Sequence, residues 1–273
     1  MFHVKHFKTK YNFICAIINM KGAVNLKTIC VFNQKGGVGK TTTVVNLSAA
    51  LGLKGKKVLV VDLDPQGNTT SGFGINKFEL QKSMYDLMVH DDFDEDFIIK
   101  TEEKNVDIIP ATSDLSGVEV ELINTDDKEK VLSKILSNVS GYDFCFIDCP
   151  PSLGTLSINA LVAADSVLIP IQCEFYALEG VSQLMNTINL VRSSLNENLE
   201  IEGIVMSMFD GRNNLSLEVV EEVKKYFKDK VFTTMIPRNI RLAEAPSYGM
   251  SALSYDKNSK GSIAYTRLAE EFL

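Results

Sequence analysis

The sequence predicts an α/β fold in which a doubly wound, mostly parallel sheet carries helices on both faces. Short continuous apolar runs recur along the chain, as at 58–62 and 144–148, and such runs are typical of strands buried on both faces of a parallel sheet. Segments with helical spacing alternate with them, which favours right-handed strand–helix–strand crossovers. A glycine-rich loop joins the first of these runs, at 28–32, to a helical segment, and this order is the context that a phosphate-binding loop requires.

The elements follow from the pattern in chain order. Apolar runs predict strands at 28–32, 58–62, 106–110, 144–148, 166–170, 201–208 and 231–236. Helical spacing predicts a helix from Thr41 and others at 83–89, 128–139, 157–163, 177–195, 217–227 and 261–272. Because no internal repeat, low-complexity tract or linker interrupts this alternation, we expect residues 27–273 to form one domain.

Composition excludes several classes of protein. The chain has 273 residues, of which 45% are hydrophobic and 23% charged, as expected for a soluble domain that buries a core. No run approaches the roughly 18 consecutive apolar residues of a membrane span. The five cysteines form no C-x-x-C pair, so we expect a reduced, cytoplasmic protein without a zinc site or disulfide framework. Because the net charge is −7, any binding to nucleic acid must come from a local basic patch.

The glycine-rich loop has the sequence QKGGVGKTT at 34–42. Its glycines let successive backbone N–H groups point at phosphate oxygens. The following helix adds its positive dipole end, and Lys40 adds a full charge for the β- and γ-phosphates. Thr41 supplies the hydroxyl that a nucleotide-bound Mg²⁺ needs. A capped helix start is the alternative for an isolated GK[ST] tripeptide, but the flanking strand and helix favour the phosphate loop.

Two further strands end in aspartates. The run at 58–62 continues into DLDPQGN at 62–68, and the run at 144–148 ends at Asp148, before two prolines. Ligands of open α/β sheets bind at the carboxyl ends of strands. Asp148 fits a Walker B pattern, whose carboxylate holds Mg²⁺ through its water shell. The pair Asp64-Pro65, taken alone, is also compatible with a simple turn.

Four motifs occur in order: KGGVGKTT at 35–42, DLDPQGN at 62–68, FIDCPPSLG at 146–154 and IPRNIRLAEAPSYG at 236–249. With them the chain from residue 27 onward resembles the deviant Walker A P-loop ATPases, most closely the ParA/Soj type that partitions chromosomes and plasmids. The resemblance implies a single ATPase domain that takes ATP as substrate and Mg²⁺ as cofactor, and forms a homodimer with ATP between the protomers. It further implies non-specific DNA binding in the ATP state, hydrolysis stimulated by a ParB-type centromere-binding partner, and association with the nucleoid.

The resemblance also assigns roles to single residues. Lys35, the early lysine of the octet, would reach across the dimer interface to the partner's nucleotide, and Asp64 would position the attacking water. The expected catalytic residues are Lys35, Lys40 and Asp64, and the expected Mg²⁺ residues are Thr41 and, through water, Asp148. The residues expected to bind ATP are Lys35, Gly36, Gly37, Val38, Gly39, Lys40, Thr41, Thr42, Pro237 and Asn239.

A DNA-binding surface is implied in the same way. Arg212, in a loop before a helix, and Arg241, after the last predicted strand, match positions that bind DNA in the family. Lys224 and Lys225 on the intervening helix would extend the patch, although lysines on a helix commonly belong to a solvated face.

Two other classes share this fold. MinD-like ATPases position themselves on membranes through a basic amphipathic C-terminal helix. Here the chain ends in TRLAEEFL, whose two adjacent acids would be repelled by anionic lipid, so we expect no membrane binding. Metabolic or redox enzymes, such as the nitrogenase iron protein or dethiobiotin synthetase, form the second class. The cysteines form no recognisable cluster-ligand set, and no second-substrate motif is evident.

Residues 1–26 fit poorly with the rest and are expected to be an extension outside the fold. Three lysines precede an apolar stretch at 13–18, which is too short for a secretory signal and is followed by no small-residue cleavage site.

The first six residues, MFHVKH, can be encoded by ATG TTT CAC GTG AAA CAT, which contains TGTTTCACGTGAAACA. The resemblance implies that this inverted repeat is the centromere-like site of ParB-type partners. We therefore hypothesise that the reading frame runs through a DNA site upstream of the true start, and that translation begins nearer the first strand, for instance at Met20. A genuine N-terminal tail is the alternative, and intact mass of the natural protein distinguishes the two.

Overall fold

A computed structural model describes residues 26–90, 93–174 and 177–273, with backbone alone at 177–179. Within these ranges seven strands form one sheet in the order β3-β4-β2-β5-β1-β6-β7, where β3 is antiparallel to β4 and the other pairs are parallel. The strands are β1 (Lys27–Val31), β2 (Val58–Asp62), β3 (Ile99–Lys100), β4 (Val106–Ile109), β5 (Phe144–Asp148), β6 (Ser166–Gln172) and β7 (Glu200–Ser207). The predicted doubly wound α/β fold is confirmed.

Helices cover both faces of the sheet. The α-helices are α1 (Lys40–Leu53), α2 (Asn68–Gly72), α3 (Met84–His90), α4 (Val118–Glu121), α5 (Val131–Ser137), α6 (Thr155–Ala163), α7 (Ala177–Ser194), α8 (Asn214–Phe227), α9 (Ile240–Glu244), α10 (Ala252–Tyr255) and α11 (Lys260–Phe272). The short helices α2, α4, α9 and α10, and the two-residue strand β3, were not predicted. The helix expected at 128–139 begins as a 3-10 turn (Lys128–Lys130) before α5.

Alternate strand residues enter two separate hydrophobic cores. In β1, Ile29 and Val31 pack with α1 and α11, whereas Cys30 packs on the opposite face with α5, α6 and α8. Their side chains are fully buried, as expected for a strand covered by helices on both sides.

The C-terminal helix α11 is joined to the helix that follows the glycine-rich loop. Tyr265 of α11 is buried, and its hydroxyl lies 3.1 Å from the Thr43 hydroxyl of α1. Leu268 and Ala269 are buried in the same core, so the apolar face of α11 is occupied by packing within the chain.

The prediction of a strand at 231–236 is wrong. This segment runs beside β7 but makes only isolated bridges, Ile204 to Val231 and Phe209 to Pro237. The backbone N–H groups of Thr233 and Thr234 donate to the carboxylate of Glu271, the latter at 2.9 Å. The N–H groups of Phe232 and Ile236 reach β7, but the Thr234 N–H between them is not available to continue the ladder. An apolar run cannot reveal that its N–H groups are taken by a side chain 37 residues away.

No described helix combines the length and apolarity needed to cross a membrane. The extension predicted at 1–26, and the hypothesis about its translation, lie outside the described residues except for Leu26.

The buried amide of Asn159 generates a stability prediction. Its Oδ1 accepts from Leu132 N–H at 3.1 Å, and its Nδ2 donates to Lys128 O at 2.8 Å and Thr155 O at 3.0 Å. Asn159 therefore connects α6 to the first turn of α5. Asn159→Ala should lower the free energy of unfolding by about 2–3 kcal/mol, because the buried Leu132 N–H and two partly buried carbonyls lose their partner.

Urea titration of both proteins measures this difference. The control is Asn138→Ala, an exposed amide with a single bond to Lys134 O, for which we expect a change within about 0.5 kcal/mol. Equal losses in the two variants would contradict the role assigned to Asn159.

Candidate functional site

The glycine-rich loop lies between β1 and α1, at the carboxyl edge near the centre of the sheet. Gly37 and Gly39 have φ angles of 75° and 94°, in the left-handed region that favours glycine. Gly39 precedes α1 and offers no side chain to cap it. The first N–H groups of α1 therefore remain available to an anion, together with the positive end of the helix dipole.

Lys40 is held inside this loop. Its Nζ donates to the carbonyl oxygens of Asn33 at 3.0 Å and Lys35 at 3.2 Å, and only 7% of the residue is exposed. Burial lowers the pKa of the ammonium, and the nearby carboxylates of Asp148 and Asp64 oppose that shift. A buried cation whose partners within the described part of the chain are neutral carbonyls is well suited to a phosphate, since a charged acceptor forms stronger hydrogen bonds.

Three contacts fix the loop to neighbouring elements. Ser207 at the end of β7 donates from Oγ to Val38 O at 2.7 Å. Asn33 donates from Nδ2 to Pro170 O at 2.8 Å in β6. Gln34 donates from Nε2 to the Thr187 hydroxyl of α7 at 3.0 Å. Sequence reasoning missed these supports, although the position of Ser207 at a strand's carboxyl end was an available signal.

Asp148, at the end of β5, faces the loop. Its Oδ2 accepts from the hydroxyls of Thr41 at 2.7 Å and Thr69 at 2.5 Å. Its Oδ1 is buried and has no hydrogen-bond partner within the described ranges. Burial raises the pKa of Asp148 to about 6, against the hydrogen bonds from the two threonines. An unsatisfied carboxylate oxygen beside a threonine hydroxyl fits a hydrated Mg²⁺, which binds oxygen ligands and retains several waters.

Asp62 and Asp64 differ in their surroundings. Asp62 is fully buried and accepts from the N–H and hydroxyl of Thr70 at 2.8 and 2.7 Å. Burial, and next the charge of Asp148, raise its pKa to about 7. Asp64 accepts from Gln66 N–H at 2.9 Å, within a turn closed by the Gly67 N–H bond to Asp64 O. The turn considered in the sequence is therefore present, and it holds the Asp64 carboxylate close enough to act on the charge of Lys40.

A cavity of about 200 Å³ adjoins the loop. Gly39 and Thr42 line one side, and Pro237 and Asn239, both predicted from sequence, line another. Asn239 also accepts from Arg241 N–H at 3.1 Å and so caps α9. Further lining residues that sequence reasoning missed are Ser207, Met208, Arg238, Leu242 and Tyr265.

Lys35 occupies the same loop, and its side chain contacts a residue outside it. Its ammonium forms an ion pair with Glu174, in the loop after β6. Sequence reasoning did not single out Glu174.

The two arginines predicted to bind DNA are also paired with acids. Arg212 is 91% exposed, and its guanidinium contacts both carboxylate oxygens of Asp210, at 3.0 and 2.8 Å. Arg241 is 43% exposed and contacts Glu244 at 2.7 Å and Asp256 at 3.3 Å.

Their two segments meet at the carboxyl end of β7, where Arg238 N–H donates to Phe209 O at 3.2 Å. Lys224 and Lys225 lie on the exposed side of α8, and Lys225 pairs with Glu222.

Known proteins match both the fold and the motifs. A family model described as an AAA domain matches residues 26–201. The sporulation initiation inhibitor protein Soj of Bacillus subtilis is 55% identical over 246 residues, covering 90% of this chain and 97% of Soj. The chromosome-partitioning ATPase Soj of Treponema pallidum is 49% identical over 248 residues, covering 90% and 97%. The chain belongs to the ParA/Soj family of chromosome-partitioning ATPases.

A solved structure is similar over the same region. Cobyrinic acid a,c-diamide synthase of Mycobacterium smegmatis, with bound ATP analog and magnesium, superposes with a TM-score of 0.80 at 36% identity, covering 90% of this chain and 93% of the synthase. A ParA/Soj-family ATPase thus shares its architecture with a metabolic enzyme, which agrees with the prediction that several classes use this fold. The higher identity to partitioning proteins favours a chromosome-partitioning ATPase over a synthetase.

Proposed function

We propose that residues 27–273 of this ParA/Soj-family ATPase bind Mg²⁺ and ATP at the glycine-rich loop, dimerise around the nucleotide and bind DNA non-specifically in that state. Hydrolysis, stimulated by a ParB-type partner, would return the protein to a form that releases DNA. The single observation that supports this most is Oδ1 of Asp148, buried without a partner within the described ranges beside the Thr41 hydroxyl and the uncapped start of α1.

Binding would use charges already in place. The Lys40 ammonium would exchange the carbonyls of Asn33 and Lys35 for phosphate oxygens, and the first N–H groups of α1 would bind the same phosphates. Thr41 and, through water, Asp148 would hold Mg²⁺, which neutralises negative charge on the phosphates when bound. The cavity lined by Pro237 and Asn239 lies beside Gly39 and Thr42 and would take the rest of the nucleotide.

Hydrolysis would depend on positioning. Phosphoryl transfer needs no covalent nucleophile from the protein, only an oriented water and stabilised charge. The Asp64 carboxylate, fixed by Gln66 N–H, would orient the attacking water. Lys35 of each protomer would reach the nucleotide bound by its partner and so couple dimerisation to the same phosphates.

DNA binding is assigned to the surface at the carboxyl end of β7. Arg212 is exposed and Arg241 partly exposed. Because ion pairs at such positions contribute little to stability, DNA phosphates can replace Asp210, Glu244 and Asp256 at low cost. Each protomer offers few cations to the phosphates, and the dimer would double their number. Because phosphate contacts carry no sequence information, the binding would be non-specific.

The packing of α11 argues against the membrane-bound alternative. Tyr265 and Leu268 are buried against α1, Glu270 pairs with Lys54 at 2.9 Å, and Glu271 accepts from Thr234 N–H. Insertion into lipid would break these contacts and bring two carboxylates towards an anionic surface. This supports DNA, rather than a membrane, as the surface on which the ATPase acts.

A first test concerns Lys40. Lys40→Ala should weaken ATP binding by at least ten-fold, because hydrogen bonds to a charged group contribute about 1.5–3 kcal/mol each. If Lys40 forms several such bonds, no binding should be detected at the protein and ATP concentrations of the titration. Isothermal titration calorimetry measures the affinity. Lys54→Ala, in an exposed ion pair just after α1, is the control and should bind ATP normally. Undiminished affinity in the Lys40 variant would exclude this loop as the nucleotide site.

A second test separates binding from hydrolysis. Asp64→Ala should bind ATP and form the dimer while the rate of phosphate release falls by about 100-fold or more, since only the orientation of the water is lost. Sizing chromatography with ATP and a phosphate-release assay measure the two properties. Asp114→Ala, an exposed carboxylate elsewhere, should change neither. A monomeric Asp64 variant would count against the assignment.

A third test addresses DNA. Arg241→Ala should weaken binding equally on unrelated sequences, and the slope of log affinity against log salt should flatten by about 0.9 for each DNA phosphate that the variant no longer neutralises. Fluorescence anisotropy with ATP and with ADP measures the affinity and its nucleotide dependence. Lys134→Ala, an exposed lysine of α5 on the opposite face of the sheet, is the control. A weakening confined to one DNA sequence would contradict binding through phosphates alone.

A further inference from the structure

The ion pair between Lys35 and Glu174 joins two loops at the same edge of the sheet. β1 and β6 are adjacent and parallel, so the loops that follow them emerge side by side. Lys35 is 38% exposed and Glu174 34% exposed, and the pair is therefore accessible to solvent. In the single chain, the positive charge of Lys35 is neutralised by the chain's own carboxylate.

We propose that Glu174 is a positioning residue, which holds Lys35 within its own protomer and thereby opposes dimerisation until nucleotide is bound. This inference rests on the proposed function, in which Lys35 reaches the nucleotide of the partner. The Lys35 ammonium has three N–H donors, but a carboxylate of its own protomer neutralises its charge and competes with the phosphates of the partner. We therefore expect each protomer to release this pair as the dimer forms.

The backbone of Lys35 connects this pair to the nucleotide site. Lys35 N–H donates to Asn33 Oδ1 at 3.0 Å, and Lys35 O accepts from the Lys40 ammonium at 3.2 Å. When a phosphate takes the Lys40 ammonium, Lys35 loses one of these two restraints. Nucleotide in one protomer therefore loosens the residue that the other protomer needs, and the negative phosphates then compete with Glu174 for its charge.

The expected size of the effect is modest. Ion pairs exposed to this degree change an equilibrium by about two- to five-fold. Because a dimer breaks two of them, its dissociation constant should change by the product, about 4- to 25-fold. Glu174 would thus set the ATP and protein concentrations at which the dimer forms, without preventing its formation.

Glu174→Gln tests the inference, because it removes the charge and keeps the shape. The variant is made in the Asp64→Ala protein so that ATP persists, and the dimer dissociation constant is measured by analytical ultracentrifugation with ATP. We expect a dimer about 4- to 25-fold tighter, with ADP affinity unchanged. The matched control, Glu222→Gln, removes an exposed ion pair with Lys225 on α8 and should leave the dimer unaltered.

A second measurement reports on the pair itself. In the nucleotide-free monomer, competitive labelling with acetic anhydride and mass spectrometry gives the reactivity of Lys35, which should rise several-fold in Glu174→Gln and stay constant in Glu222→Gln. In a Lys35→Ala background, studied at high protein concentration, Glu174→Gln should no longer tighten the dimer. This double-variant comparison distinguishes an effect that acts through Lys35 from a weaker electrostatic repulsion between protomers that have each lost one negative charge.

Each other outcome overturns a distinct claim. Unchanged Lys35 labelling would mean that the pair does not form in solution, and a dimer that is weaker or unaltered in Glu174→Gln would mean that the pair does not oppose association. Tightening that persists without Lys35 would assign the effect to bulk charge. If the Asp64→Ala protein fails to dimerise with ATP, the proposed function fails, while labelling still reports whether Glu174 holds Lys35.

Discussion

A carboxylate at the centre of a parallel sheet is costly to bury, and the site depends on the hydrogen bonds that offset this cost for Asp148. Asp148 ends β5, the middle strand, and the register pairs it with Val31 of β1 and Asp62 of β2. The glycine-rich loop starts from one neighbouring strand and the loop carrying Asp64 from the other. The hydroxyls of Thr41 and Thr69 satisfy one oxygen of Asp148, and the other oxygen is left for a ligand. Strand register therefore determines which side chains can meet a single bound cation.

Local patterns predicted the strands and the phosphate loop because both depend on nearby residues. The bounds of β2 agree with its apolar run residue for residue, and the glycines of the loop carry their own conformational requirement. Two of the failures have a common cause in long-range hydrogen bonds. Glu271 accepts from the Thr234 N–H that a strand at 231–236 would have used, and Ser207 fixes a loop that lies 169 positions earlier. No spacing rule relates residues so far apart in sequence.

The three cationic side chains expected to bind DNA or nucleotide phosphates are all paired with carboxylates, which the amino-acid composition could not reveal. Arg212, Arg241 and Lys35 each contact a carboxylate of their own chain. In a protein with a net charge of −7, such pairing keeps isolated positive charge from attracting anions indiscriminately. Lys40 differs, since it is buried and its ammonium donates to backbone carbonyls rather than to a carboxylate.

The two edges of the sheet have a further consequence for self-association. Among the described residues, β3 is only two residues long, and the outer side of β7 is covered by the segment at 231–237. A long open edge invites another chain to add a strand, which is a common route to aggregation and domain swapping. This sheet offers little such template at either border, so its backbone gives a second copy of the ATPase few places at which to add a strand.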